Sequence, residues 1–492
     1  MTETAKKKRG MPSSFTILLA LLAIVAVITV IVSGTSGGEV TAARLSDFCT
    51  APILGFADAL PVCLFVMILG GFLGMMTETG ALDNGIAVLV QKLKGNEIML
   101  IPVLMLIFSL GGTTYGMCEE TVPFYALLAA TMMAAGFDPM VGAATVLLGA
   151  GCGCLGSTVN PFAVGAAVDA LTGVDIAVNQ SIIIGLGAVL WIVTTVMSIV
   201  FVMNYAKKVK ADKGSTILSM QELKDAEEAH GKAASEVHKE VKLTGRQKGV
   251  LIAFAFTFVV MIVGFIPLAD LNEGVANFFD AGAVYDADGN AVVQGWSALI
   301  TGLPIGQWYF DEASTWFFLM AVLIGIIGGL SEKQIVNTFI TGAADMMSVV
   351  LVIALARGIS VLMANTGLDV YVLDAAAKAL AGLSGVIFAP MSFLVYFGLS
   401  FLIPSTSGMA TVSMPIMGPL AVKLGFSPEV MVMIFSSAIG VVNLFTPTSG
   451  AIMGGLALAK IEWTTWLKFA LKLIVALSVV CAIILTVACV ML

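Results

Sequence analysis

Stretches of about twenty mostly apolar residues recur along nearly the whole 492-residue chain, and this pattern decides what the chain can fold into. Segments 15–32, 249–268, 314–330 and 345–363 each have the length and apolar character of a spanning helix. In lipid no water pairs with the backbone, so a segment of this kind must close its own hydrogen bonds as a helix. Composition agrees. Hydrophobic residues make up 59% of the chain and charged residues 11%, against about half and a quarter in soluble domains. The expected fold class is an all-α polytopic membrane protein.

Several functions are excluded early. The net charge of −8 is gathered into a few loops, and no basic stripe offers a surface to nucleic acid. The two histidines, His230 and His238, both lie in a hydrophilic linker. Serine chemistry needs a base, so the superficial GxSG matches at 34–37 and 382–385 do not make an enzyme, and HExxH is missing. Cys152 and Cys154 form a CxC without a partner motif and read as packing residues. Neither a metal nor an organic cofactor is expected; a coupling Na+ or H+ remains open. The run 15–32 is too long for a signal-peptide core and reads as a retained first helix.

Charge sets the orientation, because cytoplasmic loops are rich in Lys and Arg. Lys6, Lys7, Lys8 and Arg9 put the N-terminus inside. So do Lys92 and Lys94 for the loop after a helix near 57–77, and ten Lys and Arg between Lys207 and Lys248 for the long linker. Within that linker, QELKDAEEAHGKAASEVHKEVK has the pattern of a solvated amphipathic helix. Loops 172–180 and 269–311 carry no Lys or Arg and belong outside. DADGN at 286–290 lacks full calcium-loop spacing and reads as a hairpin turn. The last helix then ends outside, which makes the C-terminus external.

An internal repeat runs through this frame. FADALP (56–61) matches AADMMS (343–348), TETGALD (77–83) matches ANTGLD (364–369), and GMCEETVPF (116–124) matches GMATVSMPI (408–416). GFDP (136–139) matches GFSP (425–428), and NPF (160–162) matches TPT (446–448). The separations stay between 286 and 292 residues, in the same order. The first copy starts inside and the second outside, so the two are inverted, a hallmark of secondary transporters. The expected division is a cytoplasmic N-terminus (1–13), a first repeat (14–205), a cytoplasmic linker (206–248), a connecting helix (249–268), an external loop (269–312) and a second repeat (313–492).

Two kinds of segment break the apolar pattern, each once per repeat. GGTTYGMCEETVPFY (111–125) and IPSTSGMATVSMPIM (403–417) are the first; GCLGSTVNPF (153–162) and NLFTPTSGAIMGG (443–455) are the second. Non-helical backbone at membrane depth lines a wet cavity or is buried in protein, and broken helices offer N–H groups to anions and carbonyls to cations. The candidate binding residues follow: Thr113, Thr114, Glu119, Glu120 and Thr121; Ser157, Thr158 and Asn160; Ser405, Thr406, Ser407, Thr411 and Ser413; Asn443, Thr446, Thr448 and Ser449. The plainer reading is small-residue packing between helices.

Glu119 and Glu120 stand out, because a charge at mid-bilayer costs roughly 2.5–3.5 kcal/mol even on the lenient insertion scale. They have Thr411 and Val412 opposite them in the repeat match. They can hold a cationic substrate group, bind a coupling cation, carry a proton, or simply cap a half-helix. Arg357 is the only Arg or Lys in a predicted helix core, with Gly70 as its repeat partner. It can bind a substrate carboxylate or neutralise Glu119 or Glu120. Asp58 and Asp345 pair by the repeat and read as helix-start caps. Glu78, Asp83, Asp169, Asp369 and Asp374 read as capping or interfacial.

GGTTYGMCEETVPFY, LGSTVNPF and the opening MPSSFTILL resemble the YfcC family, related to the anaerobic C4-dicarboxylate carriers of the DcuC type in the ion transporter superfamily. The likeness covers nearly the whole chain. Cys118 departs from the small residue usual there. The resemblance implies a bacterial inner-membrane elevator transporter, a homodimer in which a scaffold holds the interface and a transport domain carries the four arms. It also implies a small-molecule substrate: a basic amino acid in arginine/ornithine exchange, or a carboxylate in relatives that couple to sodium or protons.

Overall fold

In the computed structural model the apolar runs fold as helices whose outer faces are as apolar as their inner ones. The helix Trp463–Met491 buries Leu473, Leu477, Cys481 and Leu485. On the opposite side Leu471, Val475, Val479, Ile483 and Val487 each leave half or more of their surface exposed. A helix apolar all round belongs in lipid. The structure describes residues 14–492 apart from 83, 86, 87, 89–95, 237–241, 267, 272, 286–290 and 404. Among these, eight helices are long and apolar enough to cross a membrane. Lys6–Arg9, Asp83, Lys92, Lys94, His238 and DADGN lie outside the described residues, although the strands flanking DADGN do pair antiparallel.

The chain begins with α1 (Ser14–Ser33), α2 (Leu45–Asp58), α3 (Leu60–Glu78), α4 (Leu100–Tyr115), α5 (Val122–Ala134), α6 (Pro139–Leu155), α7 (Ala166–Thr172) and α8 (Gln180–Ala211). The linker helix α9 (Met220–Glu236) and the connecting helix α10 (Gly245–Phe265) follow. A small loop structure holds α11 (Leu268–Leu271), α12 (Glu273–Phe279), β1 (Val284–Tyr285) and β2 (Ala291–Val293). The order then recurs as α13 (Phe310–Gly328), α14 (Glu332–Asp345), α15 (Met347–Thr366), α16 (Leu368–Leu380), α17 (Gly385–Leu402), α18 (Thr406–Lys423), α19 (Pro428–Val442), α20 (Gly450–Leu458) and α21 (Trp463–Met491). This is an all-α polytopic membrane fold built from two repeats.

Packing is reciprocal, as two inverted copies require. Helix α2 lies on α15, and its counterpart α14 lies on α3. Helices α4, α6 and α8 bundle together, as do α17, α19 and α21. Helices α6 and α19 meet at the centre. The α2/α15 and α14/α3 crossings are backbone against backbone. A Cβ on Gly55 would sit 2.3 Å from the Gly358 nitrogen, and one on Gly342 would sit 2.4 Å from the Gly70 oxygen. Small residues at such crossings let helices approach without lipid between them.

Two expected spans are preceded by a break at their first residues. The helix near 57–77 is two helices that part at Ala59, and the segment 345–363 parts at Met346. Pro61 in the first turn of α3 explains the first break, since its missing N–H is harmless there. Nothing comparable marks the second. Asp58 and Asp345 are therefore not helix-start caps. They are the last residues of α2 and α14, at the helix end where an acid is least favoured.

The linker helix α9 is less solvated than its sequence implies, because it packs on α5. The carboxylate of Glu222 accepts the backbone N–H of Glu462 at 2.9 Å and of Ser219 at 2.8 Å. Nε2 of His230 lies 3.1 Å from the Leu458 carbonyl, which makes that nitrogen the donor. Both side chains are buried. The linker thus clasps the α20–α21 corner of the second repeat.

Two outcomes are expected. Gly342→Val should cost about 2 kcal/mol or more, read as a lowered unfolding midpoint in detergent, since its Cβ meets backbone rather than a movable side chain. Burial, reinforced by Lys460, holds the His230 imidazole below its usual value of 6.5. A histidine kept neutral stabilises the dock fully above pH 6.5, and that stability is lost as pH falls through the lower folded value. Proteolysis at Lys224 should accelerate from pH 7 to pH 5, and His230→Gln, which keeps a donor but cannot titrate, should flatten that dependence.

Candidate functional site

Four chain breaks converge on one cavity. Helix α4 ends at Gly116, whose φ of +79° suits glycine. A Cβ there would lie 2.5 Å from Oδ1 of Asn160, so the first two arms touch. A 3-10 turn, Glu119–Thr121, then leads into α5, which carries Pro123 in its first turn. The Glu120 carboxylate accepts the Cys118 N–H at 2.9 Å, and Thr121 Oγ1 donates to the Cys118 carbonyl.

The second arm unwinds after Leu155 and restarts at Pro161 as a single π turn. Asn160 caps that restart: Oδ1 accepts the N–H groups of Phe162 and Ala163, and Nδ2 donates to Ser157 Oγ at 2.9 Å. In the third arm Ser405 caps α18 by accepting the Gly408 N–H. In the fourth, α20 starts behind Ser449 with no side-chain cap, so its first N–H groups face the space unclaimed by any side chain. Helix starts carry about half a positive charge each.

The cavity between these arms has a volume of about 170 Å³. Glu119, Glu120, Thr121, Asn160, Arg357, Ser405, Thr406, Ser407, Asn443, Thr448 and Ser449 line it. The other expected residues do different work. Thr113 Oγ1 donates to the Gly156 carbonyl at 2.7 Å, and the Thr158 N–H and hydroxyl both bond the Thr113 carbonyl, so this pair fastens α4 to the second break. Ser157 bonds Cys154 and Asn160. Thr114 and Thr411 bond back to their own helices. Ser413 accepts from Tyr396, and Thr446 bonds Thr448. Thr411 is not opposite the acids. Helix α18 begins at Thr406 behind its Ser405 cap, so the second hairpin tip comes earlier in its repeat than the Gly-Met match implies.

Arg357 settles on neither acid of the first arm. Its Nε lies 3.0 Å from Oδ2 of Asp58. Among the described residues neither Glu119 nor Glu120 has an ion-pair partner within 4 Å. Asp58 joins the site through this bond, and its position at a helix C-terminus is thereby compensated.

Ser436 was not singled out by sequence. It sits in mid-α19, is buried, lines the cavity, and its Oγ has no hydrogen-bond partner. Its only signal is a polar residue inside a long apolar run. Cys118, Cys154 and Tyr125 also line the space. Cys154 donates to the Met117 carbonyl, while Cys152 faces Ser198 at 3.0 Å, so the CxC points two ways. The repeat has made the lining chemically lopsided. Glu119 and Glu120 come from the first copy, whereas Ser405, Thr406, Ser407, Ser436, Asn443, Thr448 and Ser449 come from the second.

This fold and this membrane-embedded polar cavity define a multi-pass membrane carrier. More particularly, the chain belongs to the DcuC family, the C4-dicarboxylate anaerobic carriers, whose profile matches residues 39–490. A Haemophilus influenzae relative named "Uncharacterized protein" is 28% identical over 445 residues, 90% of this chain and 78% of that one. An Escherichia coli relative named "Putative basic amino acid antiporter YfcC" is 27% identical over 440 residues, 87% and 77% of the two chains. Among solved structures, Neisseria gonorrhoeae MtrF, from a class described as antimetabolite efflux pumps, aligns over 98% of this chain and 96% of its own, at 18% identity and a TM-score of 0.47. The Alcanivorax borkumensis YdaH transporter aligns over 96% and 97%, at 15% identity and the same score.

Two substitutions separate scaffold from site. Thr113→Ala should lower stability by about 1 kcal/mol by stranding a buried carbonyl, with substrate KM within twofold of wild type. Ser436→Ala removes an unpaired buried hydroxyl, so the unfolding midpoint should hold or rise slightly, while KM rises.

Proposed function

We propose that the protein is a secondary active transporter for a small amino acid, exchanging basic amino acids of the arginine/ornithine kind across a bacterial inner membrane. The observation that carries this reading is the pair Glu119 and Glu120, which line the cavity with no ion-pair partner within 4 Å among the described residues. Two carboxylates suit the charged end of a basic side chain. The uncapped start of α20, the hydroxyls of Ser405, Thr406, Ser407 and Ser436, and Arg357 suit an α-carboxylate. The name of the E. coli relative points the same way.

A dicarboxylate carried with sodium or protons is the second reading. The family description favours it, and in it the acids serve the coupling ion. In both readings the protein is a carrier, not an enzyme. The mutual packing of α2–α3 with α14–α15 supports an elevator motion in which these helices stay fixed and the four arms travel. The scaffold would dimerise with a second copy. The basic linker keeps the N-terminus cytoplasmic, and the odd span α10 leaves the C-terminus outside.

The test is counterflow in liposomes loaded with unlabelled ornithine, with labelled arginine outside. Accumulation that requires internal ornithine and ignores ion gradients is expected. Glu120→Gln should weaken arginine about tenfold or more, the scale of one lost charged hydrogen bond. Normal arginine exchange by that variant refutes the role given to the acid. Uptake of a dicarboxylate under an ion gradient, with no arginine counterflow, replaces this reading with the second.

A further inference from the structure

A second, larger cavity of about 670 Å³ opens beside α9, between α3 and α14 on one side and α5 and the end of α20 on the other. Its polar lining includes Glu78, His230, Asn337, Thr341 and Asp345. Asn337, Thr341 and Asp345 follow one another at four-residue intervals, so they share one face of α14. A separate apolar cluster divides this crevice from the central cavity. Its members Ile353 and Ala451 line the cavity, and its member Met346 lines the crevice.

The repeat supplies an internal reference for Asp345. Its counterpart Asp58, 287 residues earlier, ends α2 and ion-pairs with Arg357 of α15. The residue matching Arg357, again 287 earlier, is Gly70 of α3, and it lines the crevice with Asp345. The register is fixed by the crossings, where Gly55 meets Gly358 and Gly342 meets Gly70 and Gly71. One copy therefore holds an aspartate with a guanidinium on it. The other holds the same aspartate, exposed and without an ion-pair partner among the described residues. The chain cannot supply the missing cation from position 70, because a Cβ there would lie 2.4 Å from the Gly342 oxygen.

We propose that this crevice is a second binding site for a guanidinium or alkylammonium cation, with Asp345 as its anionic ligand. The cation takes the place that the Arg357 side chain holds in the other repeat. Glu78 adds negative charge at the mouth, and the Asn337 and Thr341 side chains offer neutral hydrogen bonds. The inference rests on the reading that the cargo is a basic amino acid. It adds a waiting site on the linker side of the apolar cluster, so that cargo is held twice along one route.

The test is equilibrium binding of labelled agmatine, a guanidinium compound without a carboxylate, to the full chain in nanodiscs. Two molecules should bind per wild-type chain. Asp345→Asn should leave one, Glu120→Gln should leave one, and Asp345→Glu should restore two. Arginine exchange in vesicles of both orientations gives the second readout. Asp345→Asn should raise KM about tenfold from the linker side and leave it within twofold from the other. A single wild-type site that Glu120→Gln abolishes and Asp345→Asn spares overturns this inference and leaves the central reading intact. A single site abolished only by Asp345→Asn supports the crevice and removes the central acids' role. No binding to any variant overturns both.

Discussion

A helix broken inside a membrane leaves N–H and C=O groups that lipid cannot pair, and the arrangement of this protein turns on closing them. In the first repeat the Gly156 carbonyl takes the Thr113 hydroxyl, and Asn160 caps the restart. In the second, the free carbonyls of Leu444 and Phe445 take the indole N–H groups of Trp466 and Trp463 on α21. The means differ, but the second break of each repeat is sutured to a neighbouring helix. Around the central cavity the start of α20 and the Ser436 hydroxyl stay unpaired, and these groups are available to a passenger.

The two copies share backbone and divide the chemistry. Arm for arm they present helix starts to one cavity, yet both glutamates belong to the first copy and most of the hydroxyls to the second. Arg357 repeats the lesson on the supporting helices, where an arginine stands in one copy and glycine in the other. A site whose two halves differ in chemistry can orient an unsymmetrical solute, which a strictly symmetrical pair of repeats could not do.

Much of this was legible in the sequence, because hydropathy and the Gly, Pro, Ser and Thr clusters are local signals. The spans, the repeat and the four breaks could all be read from it, and eleven of the eighteen expected binding residues line the cavity. What escaped depends on where side chains turn. Thr113 and Thr158 have the composition of ligands and serve as fasteners. Ser436 has the composition of packing and faces the cavity. A single residue, Ala59 or Met346, separates the two helices at each of these breaks, so Asp58 passed for a cap until its pairing with Arg357 was visible. Matching Gly-Met to Gly-Met misplaced Thr411 because the two hairpins turn at different points along that motif.

The glycine crossings also bear on how such carriers diverge. Positions 55, 70, 342 and 358 touch facing backbone and are closed to any larger residue. Position 357 is one step from the contact and carries an arginine in an open pocket. Mutation can therefore try many side chains at 357 and almost none at 70. Descendants of this duplicated ancestor can change the charge at position 357, while its counterpart at position 70 is held to glycine.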